Sequence, residues 1–184
     1  MNKEFPIIET ERLILRKIQN NDIAQLLEYW SDDTVTMYMN INSFKSLEEV
    51  MYMVNLLNNL FNEDEAIRFA IHSKELDKII GTCGFNSGLK QEDFIGEIGY
   101  EIGREFWGKG FMKEALKALI NYGFQDLNLN RIEAFVMINN EASCGILETL
   151  GFKQEGLLRE HGSYKGNLWD EYIYSLLKRE WAYR

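Results

Sequence analysis

The stretch Gly103-Arg104-Glu105-Phe106-Trp107-Gly108-Lys109-Gly110-Phe111-Met112 constrains this chain more than any other, because it joins a strand-like run to the longest clean amphipathic helix. Two glycines one residue apart let the backbone approach a ligand closely. The helix that follows presents unpaired N–H groups and the positive end of its dipole. A Gly-x-Gly before a helix also serves as an ordinary tight turn. As an anion cradle, its natural guest is a diphosphate. The spacing nearly makes a P-loop, but Gly110 stands where Ser or Thr must hold a metal ion. Phe106 and Trp107 are too bulky for a phosphate-wrapping loop, and Lys113 replaces the third glycine of a dinucleotide fingerprint. What remains is a phosphate-binding turn without a metal or nicotinamide signature.

The 184 residues suffice for one well-buried core and are short for two, so a single domain spanning 1–184 is expected. Pro6 is the one proline, and no linker or repeat interrupts the pattern. No apolar run suits a signal peptide or a membrane span, which points to the cytoplasm. A net charge of −9 disfavours nucleic acid and anionic membrane and favours a cationic small molecule or basic peptide. Cys83 and Cys144 lie far apart without a Cys-x-x-Cys pair or nearby His, so both read as small apolar residues.

Along the chain, the alternation in 10–17 predicts a strand, and Asp22 caps a helix carrying Ile23, Leu26, Leu27 and Trp30. The segment 35–41 reads as irregular. Ser46 and Glu49 form a capping box for a helix to about Phe61, and 66–73 with 79–86 predict an antiparallel hairpin. Residues 94–103 are a strand in which Glu97 and Glu101 share a face around Gly99, either a solvated polar face or a ligand site. The helix after the cradle leads to an apolar strand at 131–138, an arrangement that implies a parallel crossover. Its anion-binding start then lies at a strand's carboxyl end. A short helix opens at Asn139 and closes at Gly151, and 152–158 with 168–177 suggest a last antiparallel pair before a polar tail.

These elements, with Glu-Thr-Glu-Arg-Leu-Ile-Leu-Arg at 9–16, Phe106-Trp107-Gly108-Lys109-Gly110, Asn140-Glu141-Ala142-Ser143, Leu147-Glu148-Thr149-Leu150-Gly151-Phe152 and Glu155-Gly156-Leu157-Leu158-Arg159, resemble the GCN5-related N-acetyltransferase (GNAT) superfamily. The branch they look like contains the ribosomal-protein N-terminal alanine and serine acetyltransferases. The match covers nearly the whole chain. One departure is Glu105, where the superfamily turn commonly has Gln or Arg.

The resemblance implies an α/β fold with a mixed, mostly antiparallel sheet, a splayed parallel central strand pair, and helices on both faces. It implies acetyl-CoA as co-substrate and no metal, with the coenzyme held at Trp107, Gly108, Lys109, Gly110, Phe111 and Met112. Gly99 and Ile102 then lie near the thioester. The implied reaction is direct acetyl transfer to a primary amine, a protein N-terminus or a small molecule, in a ternary complex. Glu97 is the expected base, followed by Glu101 and His161. Ser143 matches the position whose hydroxyl approaches the sulfur, and Asn140 one that bonds the pantetheine or a site water. Both also suit helix-start caps. Trp30, Tyr38, Glu101 and Trp169 are the candidate acceptor walls. Dimers are frequent in the family, which admits a homodimer here. The competing class is a non-catalytic acyl-CoA sensor, which needs the turn at 107–112 but neither Glu97 nor Ser143.

Overall fold

The structure is a computed structural model that describes residues 4–90 and 92–181. In chain order its elements are β1 (Ile8–Glu9), β2 (Leu13–Lys17), α1 (Ile23–Trp30), α2 (Asp33–Thr36), α3 (Leu47–Asn62), β3 (Ile67–Ser73), β4 (Lys78–Phe85), β5 (Ile95–Ile102), α4 (Phe111–Gln125), β6 (Arg131–Met137), α5 (Glu141–Leu150), β7 (Lys153–Tyr164), β8 (Asn167–Leu177) and α6 (Lys178–Trp181).

The strands form one sheet in the order β1-β2-β3-β4-β5-β6-β8-β7. Every neighbouring pair is antiparallel except β5 and β6. That exception follows from chemistry as well as topology, since a crossover through α4 must return the chain parallel to its start. Side chains alternate across a strand. On one face of β5, Gly96 lies against Phe85 and Leu129, and Gly123 of α4 approaches the same Phe85 ring. On the other face α1 reaches in, and Trp30 Nε1 donates to Glu101 Oε1 at 3.2 Å. Phe69, Phe85, Leu116, Leu119, Phe124 and Ile132 are fully buried between these layers.

Several local expectations shift. The 10–17 strand is a two-residue β1 turning through Thr10 into β2, with Thr10 N–H bonding the Leu13 carbonyl at 3.0 Å. Asp22 is the N-cap residue of α1, but its side chain makes no cap bond to the helix. Its buried carboxylate accepts from Arg16 at 2.7 and 2.9 Å and from the Gln19 N–H at 2.8 Å, so it serves the turn before the helix. Part of the irregular 35–41 segment is the short α2, capped by Asp32, whose side chain accepts from the Thr34 N–H. The last hairpin is longer than its apolar pattern suggests, because a bulge between Leu158 and Gly162 carries β7 on to Tyr164. The tail begins as α6, and residues 182–184 lie outside the described residues. No helix of the described residues is long and apolar enough to cross a membrane.

Candidate active site

The Gly-rich turn has the backbone that its sequence demands. Gly108 and Gly110 sit at φ +71° and +79°, in the left-handed region where a Cβ is penalised. A Cβ built on Gly108 meets nothing within 4 Å, so the turn has open space on its outer side. Gly110 is the N-cap of α4, and the helix's first N–H groups have no acceptor within the helix. Lys109 is exposed, with its ammonium 5.8 Å from the Phe106 ring. Glu105, the departure from the family turn, pairs at the surface with Lys78 at 3.2 Å.

The turn is held from behind by residues at the chain's start. Arg12 donates through Nη1 to the Lys109 carbonyl at 3.1 Å and through Nε to Glu114 Oε2 at 2.6 Å, with its guanidinium 4.4 Å from the Phe111 ring centre. The other Glu114 oxygen accepts from the Thr10 hydroxyl at 2.6 Å and the Arg12 N–H at 2.8 Å. Burial pushes the Glu114 carboxyl up, but the combined bonds from Thr10 and Arg12 and the Arg12 charge outweigh it and hold the carboxyl below its usual value of 4.5. A lowered folded-state value means stabilisation present above 4.5 and lost as pH falls through the folded value. Glu114→Gln is therefore expected to cost about 1–2 kcal/mol at neutral pH. Its melting temperature should converge with that of the wild type as pH falls below the folded value, which thermal melts across a pH series would check.

Beside the cradle the sheet opens. The β5–β6 ladder runs only from Ile95–Arg131 to Glu97–Glu133. On β5's other side, the bonds Asn86 N–H to the Glu97 carbonyl and Gly103 N–H to the Ile80 carbonyl fix the antiparallel alternation. Residues 97, 99 and 101 thus bond toward β4, while 98, 100 and 102 turn toward β6. Past the end of the ladder, the inward backbone groups of Tyr100 and Ile102 meet no strand among the described residues. Gly99 lines the cleft, but its N–H faces β4, and its carbonyl accepts from Arg68 Nη1 at 2.8 Å. The N–H that turns into the cleft beside it is that of Tyr100. The Ile102 carbonyl accepts from Trp107 Nε1 at 2.9 Å, which lays the half-exposed indole across the mouth of the cleft. The cleft has a volume of about 1010 Å³ and runs from the cradle to Asn140 and Ser143 at the start of α5.

On the α1 side, Glu97 and Glu101 project from one face of β5. Glu97 accepts from Asn86 Nδ2 at 2.8 Å and is half-buried in the cleft wall. Glu101 is nearly closed off, bonded by Trp30 and the Thr82 hydroxyl, with Arg68 Nη1 3.8 Å away. On the opposite side the Tyr100 and Ser143 hydroxyls are 2.6 Å apart. Burial raises the Tyr100 phenol well above its usual range, against the opposing pull of the Ser143 hydroxyl. Asn140 caps α5, accepting from the Ser143 N–H at 3.2 Å.

The structure thus brings Glu97, Gly99, Glu101, Ile102, Trp107, Gly108, Gly110, Phe111, Met112, Asn140 and Ser143 around one cleft. Tyr38 is also there, its hydroxyl bonded to the Asn139 carbonyl at 3.0 Å. Two expected walls are elsewhere. Trp30 is buried behind Glu101, since the shape of α1 turns its indole into the core. Trp169 lies on the outer hairpin, its indole N–H donating to the Tyr164 carbonyl at 3.2 Å. His161 also stands outside the cleft, with Nδ1 2.7 Å from the buried Glu171 and its ring against Phe135. Sequence reading missed Thr10, Arg12, Arg68, Asn86, Tyr100 and Glu114. Of these, only Thr10 and Arg12 carry a signal, as part of the 9–16 motif.

A Gly-rich turn at a helix start, a parted parallel strand pair and a pair of carboxylates thus share one cleft. Comparison with known proteins identifies the family. Residues 12–153 match the Acetyltransferase (GNAT) domain family, and the chain belongs to that family. It is 51% identical over 173 residues to the uncharacterized N-acetyltransferase p20 of Bacillus licheniformis, covering 94% of this chain and 97% of that one. It is 26% identical to the [Ribosomal protein uS5]-alanine N-acetyltransferase of Escherichia coli, across 95% of this chain and 92% of that protein. Among solved structures, the GNAT-family acetyltransferase from Bacillus anthracis superposes with a TM-score of 0.83 at 27% identity, covering 95% of this chain and 100% of that one. The protein is an acyltransferase of the GNAT fold.

Proposed function

We propose that the chain acts as one domain over 1–184, an acetyl-CoA-dependent N-acetyltransferase of the cytoplasm that moves an acetyl group directly to a primary amine. The observation that carries this reading is the continuity of the cleft, which joins an open, donor-rich cradle at Gly108 to the stretch of β5 parted from β6 and then to Glu97. The cradle fits a diphosphate, because its outer side is empty and its donors are main-chain N–H groups at a helix start. The unpaired edge of β5 fits an extended pantetheine arm added as a strand.

Acetyl-CoA supplies the activated acyl group. The chain's residues divide the rest. Glu97, with one oxygen held by Asn86, takes the proton from the incoming ammonium directly or through a water. The inward N–H of Tyr100 is the donor available to a developing oxyanion. Ser143, backed by the Tyr100 hydroxyl, holds a proton for the departing thiolate.

For the acceptor we favour a protein N-terminus with a small first residue. The cleft is also lined by the neutral Met37, Tyr38, Met39 and Ile41 and by the carboxylates Glu97, Glu101 and Glu141, with Arg68 already tied to Gly99 and Glu101. That lining suits an amine on an uncharged or cationic chain. The similarity to a ribosomal-protein alanine acetyltransferase supports the same choice. Thiol release from acetyl-CoA, followed with alanine- and serine-initiated peptides, polyamines and amino sugars, tests both statements. Turnover with the peptides and little with the sugars is the expected result. Tight acetyl-CoA binding with no turnover across the panel would replace the enzyme with the sensor reading.

A further inference from the structure

The polar side of β5 carries a chain of contacts that the resemblance does not explain. Arg68, from β3, has its side chain only 18% exposed. Its Nη1 donates to the Gly99 carbonyl at 2.8 Å and lies 3.8 Å from Glu101 Oε2, while Nη2 donates to Asn86 Oδ1 at 3.2 Å. Because the amide oxygen of Asn86 accepts from the guanidinium, its NH₂ group must face the other way. It does, donating to Glu97 Oε1 at 2.8 Å. The Asn86 backbone N–H also bonds the Glu97 carbonyl, at 2.7 Å, so main chain and side chain hold the same pair of residues together.

Gly99 makes this chain sterically feasible. A Cβ built there would lie 3.0 Å from Asn86 Nδ2, 3.2 Å from Asn86 Oδ1 and 3.3 Å from Arg68 Nη2. All three are closer than side chains normally tolerate. The missing side chain between Glu97 and Glu101 is the slot through which the amide and guanidinium meet. This gives Gly99 a reason independent of backbone angle, and it ties the slot to Glu97 rather than to the cradle.

We infer that Arg68 and Asn86 are positioning residues for Glu97: Arg68 fixes which way the Asn86 amide faces, and Asn86 fixes one carboxylate oxygen so that the other meets the acceptor nitrogen. The inference rests on Glu97 being the base. Besides Arg68 and Glu101, the charged and titratable groups around Glu97 are its ladder partner Glu133 with Arg131 on β6, and Tyr164 at the end of β7. Glu133 is paired with Arg131 at 2.6 Å, a guanidinium it shares with Glu155, and Tyr164 donates to Glu171 at 2.8 Å. Asn86 is therefore the neutral donor whose loss bears most directly on the charged form of Glu97.

The test is steady-state thiol release by the full chain from acetyl-CoA and an alanine-initiated peptide, in the wild type, Asn86→Ala, Asn86→Asp and Glu97→Gln. Asn86→Ala should lower kcat about 10-fold with the KM for acetyl-CoA unchanged, since the hydrogen bond that holds one carboxylate oxygen is lost. Asn86→Asp should lower kcat further, because the donor facing Glu97 becomes a like charge. Asn86 is exposed at the end of β4, and unchanged acetyl-CoA affinity and melting temperature verify that the variants fold. An unchanged kcat in both variants, with thiol release lost in Glu97→Gln, would overturn the positioning role alone. A Glu97→Gln variant that keeps releasing thiol would remove the base, and with it the catalytic meaning of the chain.

Discussion

Gly108→Glu is expected to abolish acetyl-CoA binding while leaving the fold intact. The argument has two separable parts. Gly108 sits at φ +71°, so any side chain there pays a backbone penalty, about 1–2 kcal/mol. Beyond that the fold is indifferent, since a Cβ at this position touches nothing within 4 Å. Gly108→Ala therefore isolates the backbone cost and should bind with only modest weakening. The glutamate adds a negative charge facing the proposed diphosphate. At about 4 Å and an effective dielectric of about 20 that repulsion is on the order of 4 kcal/mol, roughly three powers of ten in affinity. Calorimetry on the wild type and both variants reads the difference. Equal affinities for Ala and Glu would place the diphosphate elsewhere.

The second large effect falls on turnover. Glu97→Ala should reduce kcat by about 100-fold or more near pH 6, with the deficit narrowing as pH approaches the acceptor's own pKa. The narrowing matters more than the size. At low pH the acceptor is an ammonium that must lose a proton in the site, whereas at high pH the neutral amine arrives ready to react. A variant whose pH–rate curve runs parallel to the wild type would leave Glu97 a structural role only. Acetyl-CoA affinity should be unaffected, because Glu97 lies at the end of the cleft away from Gly108.

The two predictions draw on different depths of sequence legibility. The Gly-rich turn could be read directly, because its requirement is conformational: only glycine is at ease at the two positive φ values of Gly108 and Gly110. The strand carrying Glu97 and Glu101 was equally plain from its alternation, and the ladder confirms the shared face. What could not be read is which partners those side chains find. Trp30 belongs by spacing to the apolar stripe of α1, and nothing local says that its N–H meets a carboxylate 71 positions later. The contact between Arg12 and Glu114 spans 102 positions, and each residue alone is an ordinary surface charge. Gly99 shows the limit most clearly. Its neighbours made it conspicuous, but the direction of its N–H depends on the register with β4, and its use as a slot depends on Arg68 and Asn86 arriving from two other strands. The hairpin at β7 and β8 outran its apolar pattern for a similar reason, since the bulge before Gly162 restores pairing across a polar stretch.

The three-pair ladder between β5 and β6 divides the sheet into a five-stranded part and a three-stranded part that share little main-chain hydrogen bonding. Such a seam is where the native state is cheapest to open, so the amide protons of Tyr100 and Ile102 should exchange faster than those one residue away that bond to β4. A guest lying along the seam would act as a rivet between the two parts. Its effect on resistance to unfolding would then exceed what its contact area suggests, and this molecule's rigidity would be a property it shares with its donor.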